Sequence, residues 1–315
     1  MDSRLSNKSK MAMKNYSKLI CCKIYISESR NTMALESIER AARLDRDAVI
    51  VNKFEDRAYN RVRYTLVSYI VHHNATDMLY SPIRQTVQTM AEAAFAAVDL
   101  ETHLGAHPRF GVVDHICFHP LAEATVEEAA AMAKLVASDM GNELQVPVFL
   151  YEAAHPDNKA LDAIRRELGY YRPNFMGSQW AGWALPDILP IAPDEGSVNV
   201  NRARGIAVIG ASPWIDTFNI PFLSTDIATV KRIARSVSAR GGGLPSVQAL
   251  ALVHGDDSIE IACMLLDSKQ VGADQVQARV ELIAAQEGLE VEKGYFTDFS
   301  QDMIVERYIR LVSID

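Results

Sequence analysis

Glu101–Pro120, ETHLGAHPRFGVVDHICFHP, separates two patterns of different period. Before it, Met90, Ala94 and Ala97 recur at helical spacing within 82–100. After it begins, Val112 to Phe118 reads as a strand, on which His115, Cys117 and His119 share one face. Gly105, Pro108 and Gly111 break any helix between the two. Four of the eight histidines, His103, His107, His115 and His119, fall in this stretch, so chemistry is sought here first.

Toward the N-terminus, Leu19–Ile26 is apolar and β-branched enough for a strand. A helix follows, capped by Asn31 or Thr32, with Leu35, Ile38 and Ala42 on one face. Ala48–Val51 and Arg61–Val71 read as two further strands. Toward the C-terminus, Thr125 and Glu128 form a capping box. It opens a helix striped by Ala129, Met132, Ala133, Val136, Ala137 and Met140, and Val146–Leu150 is a buried strand. Residues 170–204 are irregular, and Pro193–Val200 is expected to link two halves. Gly205–Ile220 then reads as one strand, followed by a helical stripe of Ile227, Val230, Ala234 and Val237. Val247–Val253 and Ile259–Leu266 form a hairpin around Gly255-Asp256-Asp257, and Val276, Val280 and Ile283 mark a helix ended by Gly288.

Each half therefore runs strand, helix, strand, strand, helix, strand. That order predicts an α+β fold of two similar α/β subdomains. Each would be a mostly antiparallel sheet with helices on one face, the split βαβ or ferredoxin-like pattern, with a ligand cleft between them. The expected boundaries are a disordered tail over 1–17, a first subdomain over 18–199 and a second over 200–315.

Composition narrows the function. With 49% hydrophobic and 23% charged residues over 315 positions, the chain can bury a sizeable core. A net charge of −8 argues against nucleic acid as a partner, and no apolar run approaches the roughly 20 residues of a membrane span. Cys21, Cys22, Cys117 and Cys263 show no framework spacing and suit reduced thiols in a cytoplasmic setting. Arg4, Lys8, Lys10, Lys14 and Lys18 near the N-terminus leave organelle targeting open.

Three chemical readings compete in the histidine stretch. His115, Cys117 and His119, with His103, His107 or Asp114 as a fourth ligand, resemble a zinc set. A straight strand spreads three such ligands too far for one ion, so no metal is expected. His107 is different, because the Gly105–Gly111 turn fixes it at the mouth of a strand, where an imidazole suits general acid–base work. Arg109 would add a fixed positive charge for a carboxylate.

Gly105-Ala106-His107-Pro108-Arg109-Phe110-Gly111, followed by Asp114, resembles the Gly-Glu-His-Pro-Arg-x-Gly…Asp signature of the glutamate formiminotransferase family. Other pieces recur in the family's order: Asn60-Arg61, Val146-Pro147-Val148-Phe149-Leu150-Tyr151, Pro193-Asp194-Glu195-Gly196, Phe218-Asn219-Ile220 with Leu223-Ser224-Thr225, and Leu265-Leu266-Asp267. The resemblance implies two subdomains with a folate tunnel between them and transfer of a formimino group between tetrahydrofolate, as co-substrate, and glutamate. It implies His107 as the catalytic acid/base and Asn60, Arg61, Gly105, Arg109, Asp194 and Gly196 as folate- or substrate-binding positions. The implied partners are a small-molecule folate, an amino acid and a second copy of the chain in a homodimer.

The chain departs from that pattern at several polar positions. Tyr25 stands where the family has Asn and Ser29 where it has Gly. Aspartates expected near Asn52 and Phe54 are absent, with Glu55 and Asp56 close by, and Met264 replaces an Asn. These differences leave three readings: a transferase of formimino or formyl groups with rebuilt substrate contacts, a folate-binding paralogue without transfer, and a metal-dependent hydrolase.

Overall fold

The computed structural model describes residues 18–73 and 78–313; the expected tail over 1–17 lies outside them. The chain divides into two compact units, one ending at Ser212 and joined again by Gln301 onward, the other Pro213–Ser300. The boundary thus falls after Ser212, later than the expected 199/200. Asp194 and Glu195 are not linker. Val148 N donates to the Glu195 carbonyl (2.9 Å) and Leu150 N to Asp194 Oδ2 (2.8 Å), so the segment supplies acceptors to an edge strand that would otherwise lack them.

The first unit opens with β1 (Lys18–Ile26), α1 (Thr32–Ala42), β2 (Ala48–Asp56), β3 (Arg61–Tyr69) and the short pair β4 (Val71–His73) and β5 (Met78–Tyr80). It continues through α2 (Ile83–Ala97), β6 (Leu104–Gly105), β7 (Val113–Ala122), α3 (Val126–Asn142), β8 (Val148–Glu152), α4 (Leu161–Glu167), β9 (Phe175–Met176), β10 (Gln179–Ala181) and β11 (Ala207–Ala211). The main sheet has the order β2-β3-β1-β7-β11-β8. Its first four strands are antiparallel and follow the split βαβ order, and β11 and β8 extend it in parallel.

Local signals set these elements as expected. Asn31 accepts from Ala34 N at the start of α1, and Thr125 and Glu128 close the capping box of α3 at 3.2 and 2.8 Å. One face of the sheet is apolar: Ile20, Cys22, Ile24, Val62, Tyr64, Leu66, Ile116 and Phe118 are buried in one core with Leu35, Ile38, Val87, Met90, Met132 and Val136 of the three helices. Each such aliphatic side chain stabilises the fold by roughly 1.5–3 kcal/mol.

The other face is polar. Strand period two and the register bring Tyr25 beside both Arg63 and His115, and Lys23 beside Thr65 and Cys117. This is the face that carries the candidate site.

The second unit holds β12 (Asp216–Phe222), α5 (Ile227–Val237), β13 (Val247–Val253), β14 (Ile259–Leu265), α6 (Ala273–Gln286) and β15 (Tyr295–Phe296). Its sheet, β13-β14-β12-β15, is antiparallel throughout and repeats the split βαβ order of the first unit. Gly255 (φ +92°) turns the predicted hairpin and Gly288 (φ +71°) ends α6. The expected single strand over 205–220 is two strands in different units, because Pro213 lacks the N–H that would continue the ladder. A last helix, α7 (Gln301–Val312), returns to the first unit, where Arg307 donates to the Val51 carbonyl (3.0 Å). Among the described residues no helix is long and apolar enough to cross a membrane.

Candidate active site

The loop between β6 and β7 is held from beneath by Arg109. Its guanidinium donates to the carbonyls of Tyr59 (2.8 Å), Asn60 (3.2 Å) and His107 (2.6 and 3.1 Å) and to His103 Nδ1 (2.7 Å). The carboxylate-holding role expected of Arg109 therefore fails on geometry: the side chain is only 2% exposed and its N–H groups are spent on its own loop, His103 and the β2–β3 turn. Burial and the charge of Arg61 lower its pKa to about 9, and burial and Arg109 lower that of His103 to about 2. His103 is thus a neutral acceptor, which is what Arg109 requires.

Two of the expected binding positions are parts of this scaffold. Asn60 sits at φ +50°, tolerated by Asn, and its amide accepts from Ser29 N (2.9 Å) and donates to the Leu104 carbonyl (2.9 Å). A Cβ on Gly105 would lie 2.2 Å from the Tyr59 carbonyl oxygen and 2.4 Å from an Arg109 guanidinium nitrogen. Gly105→Ala is accordingly expected to cost about 1–3 kcal/mol, read as a lowered urea midpoint with unchanged m-value. Asp194 and Gly196 make their contacts elsewhere. Asp194 serves β8 as above, and Gly196 (φ +83°) packs against Val146 and Gly141.

His107 rides on this support with part of its surface exposed. Its Nδ1 lies 2.6 Å from the Pro108 carbonyl oxygen, so that nitrogen carries the proton and Nε2 keeps a lone pair. Tyr59 and Tyr170 present ring edges to it at centroid distances of 5.3 and 6.3 Å. Burial and the Arg61 charge hold its pKa well below the usual histidine value, against the opposing pull of the Pro108 carbonyl and Asp114. The ring is a neutral base at pH 7.

Asp114 anchors the other side. Its Oδ2 accepts from Arg61 (2.6 Å) and its Oδ1 from Phe110 N (2.5 Å). Burial alone would raise its pKa, but Arg61, Arg165 and the Phe110 N–H hold it at about 2. Arg61 also lies 5.1 Å over the ring of Tyr25, which stacks on His115 at 5.0 Å. Tyr25 thus fills an expected polar position with an aromatic wall, and Arg63 bridges the Tyr25 and Phe54 rings at 5.9 and 5.6 Å.

The strand histidines are used otherwise than as a zinc set. His115 Nε2 is 2.8 Å from the Tyr151 hydroxyl, and His119 Nδ1 is 3.1 Å from the Ser212 carbonyl. Among the described residues these side chains and Cys117 do not converge on a point one ion could occupy. Trp180 packs against Phe175 (4.7 Å), and Trp183 lies beneath Arg202 (5.4 Å).

The structure therefore brings together Asn60, Arg61, Gly105, His107, Arg109 and Asp114. It adds Tyr151, which closes the Val146–Tyr151 motif, and Tyr59, Arg165 and Tyr170, which no motif or period singled out, because they come from turns and a short helix remote in sequence.

The profile of the formiminotransferase domain, N-terminal subdomain, matches residues 19–212. The chain is 48% identical over 293 residues to a formiminotransferase cyclodeaminase-like protein of Arabidopsis thaliana, covering 93% of this chain and 97% of that one. It is 28% identical over 275 residues to the glutamate formimidoyltransferase of Thermoplasma acidophilum, covering 86% and 84%. It is 29% identical over 269 residues to the formimidoyltransferase-cyclodeaminase of Sus scrofa, covering 82% of this chain and 46% of that longer one.

Proposed function

Because the chain belongs to the formiminotransferase family, a family of transferases, we propose that it moves a formimino group from 5-formiminotetrahydrofolate to the amine of L-glutamate. The products are tetrahydrofolate and N-formimino-L-glutamate. The observation that carries this reading is the His107 tautomer: Nδ1–H is tied to the Pro108 carbonyl, and Nε2 is left as an acceptor in a neutral ring. Nε2 takes a proton from the attacking amine as the new N–C bond forms at the formimino carbon. It returns that proton to folate N5 as the old C–N5 bond breaks, so one imidazole serves both steps.

The test is release of tetrahydrofolate from 5-formiminotetrahydrofolate with glutamate present. Turnover that needs both substrates supports the proposal, and its absence with every acceptor and with a formyl donor sinks it. A base held well below pH 6.5 also predicts where activity fades. The acidic limb of kcat/KM should lie below pH 6.5, with no loss as pH rises from there toward 8. A limb at or above 7 would exclude His107 as the group titrated.

One observation favours a second reading, folate binding without transfer. Tyr25, placed where the family's pattern has Asn, is sandwiched by His115 and Arg61 and offers no amide to a substrate carboxylate. Folate binding that survives His107→Ala, with no turnover in wild type, would select it. The family resemblance also supports a homodimer in the cytoplasm, the former read by sedimentation of the purified chain.

A further inference from the structure

The short helix α4 carries two adjacent arginines with different fates. Arg166 faces solvent and pairs with Asp162 at 2.7 Å. Arg165 turns inward and lies 4.5 Å over the ring of Tyr170, the residue whose hydroxyl stands 3.4 Å from His107 Nδ1 and 3.5 Å from Asp114 Oδ2. Its surroundings include Asp114, Tyr151 and Tyr171. Among the described residues its side chain makes neither a hydrogen bond nor an ion pair; the residue is half-buried, and only its Nε is sealed from solvent without an acceptor.

Energetics make that arrangement incomplete. Stacking on an aromatic ring returns about 0.5–2 kcal/mol. Leaving the sealed Nε–H without an acceptor costs about 1–3 kcal/mol, as much as that return or more. Asp114 does not supply the missing acceptor, because Arg61 and Phe110 N already take its oxygens. Two arginines thus act on a single buried carboxylate, and the surplus positive charge lies over the Tyr170 ring, which also contacts the His107 ring.

We propose that Arg165 is the carboxylate-binding residue of this site, donating its free guanidinium edge to an anionic group of a substrate. The inference rests on the transferase reading for the identity of that substrate, either the acceptor amino acid or the glutamate tail of the folate. It gives to Arg165 the task that sequence assigned to Arg109. A planar guanidinium suits a carboxylate because two parallel N–H donors meet its two oxygens.

Calorimetry on the full chain tests this without turnover, using L-glutamate, 5-formyltetrahydrofolate and the pteroate analogue of that folate lacking the tail. Arg165→Gln is expected to weaken at least one carboxylate ligand by about 10–100-fold, with Arg165→Lys recovering part of the loss as a point charge. Weakening confined to glutamate assigns the acceptor's carboxylate. Weakening of the folate but not of its tail-less analogue assigns the tail. Thermal unfolding of Arg165→Gln should stay level or rise, since a half-buried guanidinium with an unsatisfied Nε–H is removed, whereas a merely structural arginine would lower it and leave affinities unchanged. Unchanged affinities in Arg165→Gln, or a wild type that binds none of the three at millimolar concentration, would overturn the inference. The two readings fail separately: turnover with unchanged affinities removes Arg165 alone, and Arg165-dependent binding without turnover removes the transferase alone.

Discussion

His107→Ala is expected to lower kcat by about 10³–10⁴-fold while leaving folate affinity within a few-fold of wild type. The asymmetry follows from what the ring touches. Its one strong hydrogen bond is to the carbonyl of the next residue, and its ring contacts are the edges of Tyr59 and Tyr170. Removing it deletes a proton carrier and little packing, so the urea midpoint should move by no more than about 1 kcal/mol equivalent. The loop itself stays in place, because Arg109 reaches the backbone carbonyl of residue 107 rather than its side chain. His107→Gln should be nearly as inactive as the alanine variant, since an amide can occupy the space but cannot accept and return a proton. A variant that keeps more than a tenth of the wild-type kcat would show that another group moves the proton.

How much of this was legible in the sequence depends on the kind of signal each residue leaves. The βαββαβ order of both halves was visible because apolar periods and caps are local: Asn31, Thr125 with Glu128, and Gly255 act within a few residues of themselves. The turn that carries His107 was legible too, since glycine and proline mark a turn wherever they stand. What failed was anything decided by distance in space. Arg109 and Arg165 look alike as letters, and only the positions of Tyr59, Asn60 and His103 reveal that one is consumed by its loop. The late boundary was hidden for a similar reason. The run from Ala207 to Ile220 is mostly apolar, but it feeds two sheets, and the parallel pairing of β11 with β7 leaves no local mark. Tyr25 is intermediate. Its presence in place of Asn was plain, yet its stacking on His115 depends on register across two strands.

Asp114→Asn is expected to cost about 3–5 kcal/mol of stability, far more than loss of the His107 side chain. Asp114 is fully buried, and its partner Arg61 is 9% exposed, so the amide leaves a guanidinium sealed in the unit without its counter-charge. The Phe110 N–H can still find an acceptor at the amide oxygen, so the loss is chiefly electrostatic. Acid should imitate the substitution. The folded carboxyl, at about 2, lies below its ordinary value of 3.8, so its contribution is fully present above about pH 4 and is lost as pH falls through 2. Wild type should therefore lose on the order of 2 kcal/mol over that window, and Asp114→Asn should be flat there. The same variant should shift the acidic limb of kcat/KM further down, because Asp114 is the charge that opposes Arg61 at His107. If the cost is truly the stranded guanidinium, Arg61→Gln in the Asp114→Asn background should regain stability rather than lose more. Urea midpoints of the four members of that cycle decide it: additive losses would mean that the two side chains act through packing, and recovery would mean that charge pairing is what this part of the site was built around.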